Sequence, residues 1–161
     1  MRYMLARKLF VAAFFLLAPA AYGQQQPPTP PKPDVPYIVH ANNLVETESS
    51  RAIEQTKKNE QWYFVEGVSS GVETPMARPE FVLKAEDLAP DSLELYRFEP
   101  KNGKREILIR KKKKVLARSY FLSLDNFESG LYRIRVDEVL DNGEYCLTPK
   151  GSDAVFCFTV Y

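Results

Sequence analysis

Nine basic residues crowd into Lys101 to Arg118 (Lys101, Lys104, Arg105, Arg110, Lys111, Lys112, Lys113, Lys114 and Arg118) against one acid, Glu106, a local charge of +8. Arg110, Lys111, Lys112, Lys113 and Lys114 are consecutive within it. Such a run suits a phosphate- or carboxylate-rich partner, whether an acidic surface polymer, an anionic lipid or an acidic protein. The apolar runs Ile107–Ile109 and Val115–Ala117 flank the lysines and place them at a hairpin tip. The plainer use of lysines there is to keep strand edges from pairing with other chains. Overall the chain is near neutral, with 22 basic and 21 acidic residues. That balance excludes a globally basic nucleic-acid binder, and no nucleic-acid reading motif accompanies the cluster.

Other reactive residue types give weaker patterns. His40 is the single histidine, and beside Val39 it reads as an ordinary strand residue. With one imidazole and two cysteines in reach of each other, a zinc site of the usual His/Cys type is not expected. No cofactor motif occurs. A Ser-His-Asp triad would have to use His40, and no G-x-S-x-G elbow supplies a nucleophile. Glu66 with Glu73 and Asp137 with Glu138 are acid pairs of the kind glycosidases use, but acids at turns are ordinarily solvated. In Trp62-Tyr63-Phe64 the alternation places Trp62 and Phe64 together in the core, a use favoured over a sugar-stacking face presented through Tyr63. The expectation is a protein that is not an enzyme.

Cys146 and Cys157 are expected to bond to each other. Gly143–Pro149 and Ala154–Tyr161 read as strands, with Gly151-Ser152 midway between them as a two-residue turn of type II′. Counting outward from that turn sets Cys146 opposite Cys157, within the reach of a disulfide. The spacing is not the C-x-x-C of a redox catalyst, so the bridge is structural.

The elements that would position these residues are β-strands. Tyr37–Val39, Gln61–Glu66, Glu80–Lys84, Ser92–Phe98, Arg105–Arg110, Val115–Leu122 and Leu131–Asp137 join the closing pair as candidates. Several alternate apolar and polar residues with the period of two of a half-buried antiparallel strand. Asn102-Gly103, Ser129-Gly130, Asn142-Gly143 and Gly151-Ser152 are the turn signals. Asn42–Glu60 is ambiguous, a polar hairpin in preference to a short exposed helix. The fold class is all-β: an antiparallel β-sandwich, immunoglobulin-like or related, or alternatively a partly open barrel.

The first 23 residues set the address. Arg2, Arg7 and Lys8 precede the apolar run Leu9–Ala18, and Ala21-Tyr22-Gly23 offers small residues at a cleavage site, the layout of a secretory signal peptide. The run is shorter than the ~20 residues of a membrane-spanning helix. Of the 161 residues, 138 follow Gly23, enough for one domain, and they carry 19 basic against 21 acidic groups. Gln24–Pro36 holds six prolines and reads as an extended spacer, at about 3.1 Å per residue roughly 40 Å long. Residues 37–161 are the β-domain. The expected location is periplasmic or extracellular, with no transmembrane segment after cleavage.

The stretch Leu140-Asp141-Asn142-Gly143-Glu144-Tyr145-Cys146-Leu147 resembles the L-x-x-G-E-Y-x-L closing hairpin of uncharacterised exported bacterial β-domains. Arg78-Pro79-Glu80-Phe81 and Lys101–Glu106 resemble upstream segments of some of them. The resemblance covers about the last half of the chain and implies an envelope or secreted β-domain without supplying an activity. In physical terms Gly143 turns the chain, Glu144 faces solvent, and Tyr145 inserts beside Leu147, Phe156 and Phe158. The function expected is an exported, non-catalytic binding or envelope-associated module. The alternatives are an assembly subunit pairing through a strand edge, and a carbohydrate-acting enzyme.

Overall fold

A computed structural model describes residues 28–128 and 130–161. The expected leader and cleavage site, Gln24–Pro27 and Ser129 of the expected Ser129-Gly130 turn lie outside them. Fourteen strands follow in order: β1 Tyr37–His40, β2 Asn43–Glu46, β3 Glu48–Arg51, β4 Ile53–Lys57, β5 Glu60–Glu66, β6 Glu73–Thr74, β7 Glu80–Lys84, β8 Leu93–Lys101, β9 Lys104–Lys111, β10 Lys114–Val115, β11 Leu122–Glu128, β12 Leu131–Val136, β13 Gly143–Pro149 and β14 Ala154–Val160. One 3-10 turn, Pro90–Ser92, precedes β8. Among the described residues no helix is long and apolar enough to cross a membrane.

The chain is all-β, as its periodicity implies, with two sheets, one of them a curled half-barrel. A five-stranded antiparallel sheet runs β11-β12-β7-β1-β2, and a second sheet, β3-β14-β13-β8-β9-β5-β4, curls into a half-barrel. Strands β8, β13 and β14 form a wall between two cores. One face of this wall, with Leu93, Leu95, Tyr145, Leu147, Phe156 and Phe158, packs on Ile38, Phe81, Leu83 and Ile134 of the five-stranded sheet. The other face puts Phe98, Cys146, Val155 and Cys157 inside the half-barrel with Val65 and the flanking Tyr96 and Ile107. A strand buried on both faces has no polar side to show, which is why Val155-Phe156-Cys157-Phe158 reads as a continuous apolar run. Phe81 and Phe158 meet edge to face at 5.2 Å, and Tyr145 stacks on Phe158 at 5.8 Å.

The register of the closing hairpin is the one counted from the sequence: Cys146 pairs with Cys157, they are disulfide-bonded, and their Cα atoms are 4.0 Å apart. Its turn is set differently. The Ser152 N–H donates to the Pro149 carbonyl, which puts Gly151 at the third turn position with φ +78°, a conformation that suits glycine. Asn142-Gly143 is no turn of this kind. Gly143 opens β13, and a Cβ there would stand 3.2 Å from the Arg97 guanidinium.

Three further segments depart from expectation. Val115–Leu122 is not a strand: only Lys114–Val115 pairs with β9, while Leu116 and Ala117 donate to the Ile109 carbonyl and Tyr120 to that of Leu95. The strand starts later, as β11, which the polar composition of Leu122–Glu128 concealed. Asn42–Glu60 is neither a helix nor a self-contained hairpin. It supplies β2 to one sheet and β3 and β4 to the other, and its polar residues suit the sheet edges they occupy. Finally, Pro28–Pro36 does not stand off as a spacer. Pro30 and Pro36 are buried, Lys32 pairs with Glu46 at 2.7 Å, and the Asp34 carboxylate accepts the backbone N–H groups of Glu86, Asp87 and Leu88 at 2.8–3.1 Å.

Candidate functional site

The interior of the half-barrel is layered from a closed end to an open mouth. At the closed end Arg105 is fully buried. Its guanidinium donates twice to the Glu48 carboxylate, at 2.7 and 2.9 Å, and to the carbonyls of Glu66 and Gly67. Glu144 lies 3.8 Å from the same guanidinium and accepts from Ser70 N–H and the Thr159 hydroxyl. A buried guanidinium is tolerable only when its donors and its charge are matched in this way. Glu144 therefore does not face solvent as the hairpin pattern implied. It is buried because β13 shows one face to each core and its even-numbered side chains point into the half-barrel.

Val65 stands opposite Arg105 and Phe98 opposite Glu144 in this layer, and above it lie the disulfide and Val155. The mouth opens because β8 and β9 pair only near their shared turn, Glu99–Lys101 with Lys104–Glu106. Beyond that point they diverge, and Glu94 and Tyr96 face Ile107, Ile109 and Arg110 across a cleft of about 790 Å³. β5 supplies Gln61 and Tyr63, β4 supplies Glu54, and the Pro149–Asp153 turn closes the far side.

Both tyrosine hydroxyls are held by carboxylates. Tyr63 donates to Glu54 at 2.9 Å, and Gln61 donates to Glu54 and to the Tyr63 oxygen. Tyr96 donates to Glu94 at 2.9 Å. Burial first, and the hydrogen bond to Glu94 second, push the Tyr96 phenol up to about 12. Tyr63 is raised by burial and by Glu54. The two phenols are thus neutral hydrogen-bond donors held in place in the lining of the cleft.

A second groove of about 470 Å³ continues from the first toward the β4–β5 turn, sharing Glu54, Gln61 and Arg110 with it and adding Thr56, Asn59, Glu60, Lys112 and Lys113. The basic run occupies a hairpin tip, as its flanking apolar residues imply: Lys111 opposes Lys114 across the turn, with Lys112 at φ +54°. The run does not act as one patch. Lys111 pairs with Glu60 at 2.8 Å and holds that carboxyl below its ordinary range. Arg110, Lys112, Lys113 and Lys114 form no ion pair among the described residues, and the first three line the groove.

The remaining sequence candidates lie elsewhere. His40 is exposed at the end of β1, paired with Asn43. Glu138 accepts Phe121 N–H and the Arg118 guanidinium, in that order the causes of its lowered pKa. Asp137 accepts the Ser123 hydroxyl at 2.7 Å. Glu66 and Glu73 are exposed on different strands. No group of acids, histidines and cysteines suited to a metal ion forms among the described residues. The aromatic run is inverted relative to expectation. Tyr63 and Val65 point into the half-barrel, while Trp62 bonds Glu60 on the outer face and Phe64 lies under the Lys104 ammonium at 3.7 Å. Both parities of the run are apolar, so alternation alone does not choose between them. Glu94 and Tyr96 alternate in β8 with the buried Leu93 and Leu95 and carry no sequence signal for a cleft.

No family model, curated protein or solved structure matches the chain.

Proposed function

We propose that the chain is a non-catalytic binding module working outside the cytoplasm, with its ligand seated in the mouth of the half-barrel. The divergence of β8 from β9 carries this reading. It leaves a cleft beside an apolar core where continued strand pairing would have closed it, and the size falls in the ~300–1,000 Å³ range of ligand sites. Fixed tyrosine rings over an apolar floor, bordered by Gln61, Thr148 and Ser152, form a surface set in advance for an amphipathic ligand. Glu54 and Glu94, the acids positioned for proton transfer, are engaged as acceptors of tyrosine hydroxyls, which favours binding over catalysis. Arg110, with Lys112 and Lys113, adds the anion-binding character of the basic run to one end of the site. The leader-like N-terminus and the disulfide support the extracytoplasmic address.

The test is saturation-transfer NMR with neutral oligosaccharides, uronate oligosaccharides and short peptides. These are presented to the native protein, to Tyr96→Arg, which obstructs the mouth, and to a Lys111–Lys114→Gln tip variant. A ligand class that binds the native protein and is lost with Tyr96→Arg is the expected result. Ligands that bind both proteins alike and fail only with the tip variant would move the site to the hairpin tip.

A further inference from the structure

Strand β4 has an unused edge. The Lys58-Asn59 turn, with φ of +47° and +68°, is a two-residue hairpin connection of type I′, and it makes Lys57↔Glu60 a hydrogen-bonded pair. Bonded and non-bonded pairs then alternate along the register Lys57↔Glu60, Thr56↔Gln61, Gln55↔Trp62, Glu54↔Tyr63, Ile53↔Phe64. Residues 53, 55 and 57 therefore turn their backbone groups toward β5, and Glu54 and Thr56 turn theirs away from it. Ala52, on the same parity, donates its N–H to the Asp153 carbonyl at 2.7 Å. Beyond that bond the edge runs out of partners: the outward groups of Glu54 and Thr56 have none among the described residues. Both residues also line the groove that runs beside β4.

We infer that this edge, with the cleft beside it, receives an extended acidic peptide segment of a partner protein by strand addition. The inference rests on the reading of the cleft as the binding site and names the class of its occupant. In strand addition the backbone bonds supply affinity and alternate side chains enter pockets on one face. The five residues of β4 span about 17 Å, and Glu54 and Thr56 within it line the groove. Charge complementarity selects the sign of the peptide. Glu54 is held by Tyr63 and Gln61, Glu94 by Tyr96, and Glu60 by Lys111. Arg110, Lys112 and Lys113 line the groove with no such partner.

The probe is the capped hexapeptide Glu-Val-Glu-Val-Glu-Val, titrated into the full protein by NMR. Its controls are the Lys-Val counterpart, the same acidic sequence N-methylated at alternate residues, and trigalacturonate. The first variant is Thr56→Pro. The Thr56 N–H points off the edge, so proline removes the docking donor without removing a ladder bond. We expect the acidic peptide to shift the amides of Glu54 and Thr56, and the lysine peptide to leave them unmoved. Thr56→Pro should weaken binding about tenfold, and Arg110→Gln by a similar factor with a flatter salt dependence. Equal binding of the N-methylated peptide, or tight binding that survives Thr56→Pro, overturns strand addition. The methylated peptide and Arg110→Gln keep the test decisive should Thr56→Pro misfold. Trigalacturonate shifting Tyr63 and Tyr96 while no peptide does so would overturn the inference and leave the cleft as the site. Silence of the cleft toward every probe at millimolar concentration would remove both.

Discussion

Arg105 shows how little a residue's sequence neighbourhood says about its work. It sits among nine basic residues, and a count of local charge assigns it to the same cluster as Lys112 and Lys113. The fold sorts them by parity. Arg105 points into the half-barrel against Glu48 and Glu144, and Lys104 points out over Phe64. Removing the guanidinium strands the buried Glu144 carboxylate and leaves the half-buried Glu48 without its partner. Arg105→Met should therefore cost about 3–5 kcal/mol of stability, read as a lower urea midpoint with an unchanged denaturant slope. A cost below 1 kcal/mol would mean that Glu48 and Glu144 can turn to solvent. The tyrosines give a second prediction. Tyr96 and Tyr145 are each pushed up to about 12, by burial first in both cases, against an ordinary value of 10. A folded-state pKa above the unfolded one holds the proton more tightly in the native protein. The associated stability is complete below pH 10 and is lost between about pH 10 and 12. Urea midpoints should fall across that window, and Tyr96→Phe should make the fall shallower. Equal slopes in the two proteins would show that Tyr96 ionises in the native state as freely as in the unfolded one.

At the scale of elements, the closing hairpin was legible and the edges were not. Gly143–Pro149 and Ala154–Tyr161 carry a turn glycine, aromatic and β-branched residues, and a cysteine at matched distances from the turn, so type, partner and register follow together. β2, β3, β4 and β11 are sheet edges, where one side of the strand has no neighbour to demand apolar residues, and their polar sequences carry little strand signal. The cleft was illegible for a related reason: it arises where two strands part, and the residues on either side are ordinary strand residues. The proline-rich stretch misleads in the opposite direction. Its composition describes a spacer, but one aspartate in it finds three backbone donors. Burial raises the Asp34 pKa and the three N–H groups, with Lys84, lower it by more, for a net fall. Asp34→Ala should destabilise the domain by about 1 kcal/mol, the scale of a lost capping acceptor. The difference should be present at neutral pH and vanish as pH falls below about 4 through the lowered pKa, where the native carboxyl is itself protonated. Thermal melts at pH 7 and pH 2.5 measure both arms, and a difference that persists at the lower pH would assign the effect to packing.

For the whole molecule, the decisive feature is that two cores lean on one wall. Neither the five-stranded sheet nor the half-barrel has a second apolar surface on which to close. Trp62, on the half-barrel, and the Tyr120–Tyr145 pair, 5.6 Å apart beside the other core, should therefore report the same transition. Tryptophan fluorescence and near-ultraviolet dichroism are expected to give coincident urea curves, and a separation of their midpoints would show that one core survives alone. The wall also has a history within each molecule. Its hairpin lies far along the chain from its outer partner β3, so that Arg51 meets Asp153 across 102 positions. Until that meeting β3 has no partner strand, and the upstream strands that pack on the wall have their apolar faces uncovered. Distant pairing of this kind is slow to nucleate, and the long interval favours association between half-made chains. Conditions that shield the nascent chain should therefore govern the yield of this protein more than its finished stability does.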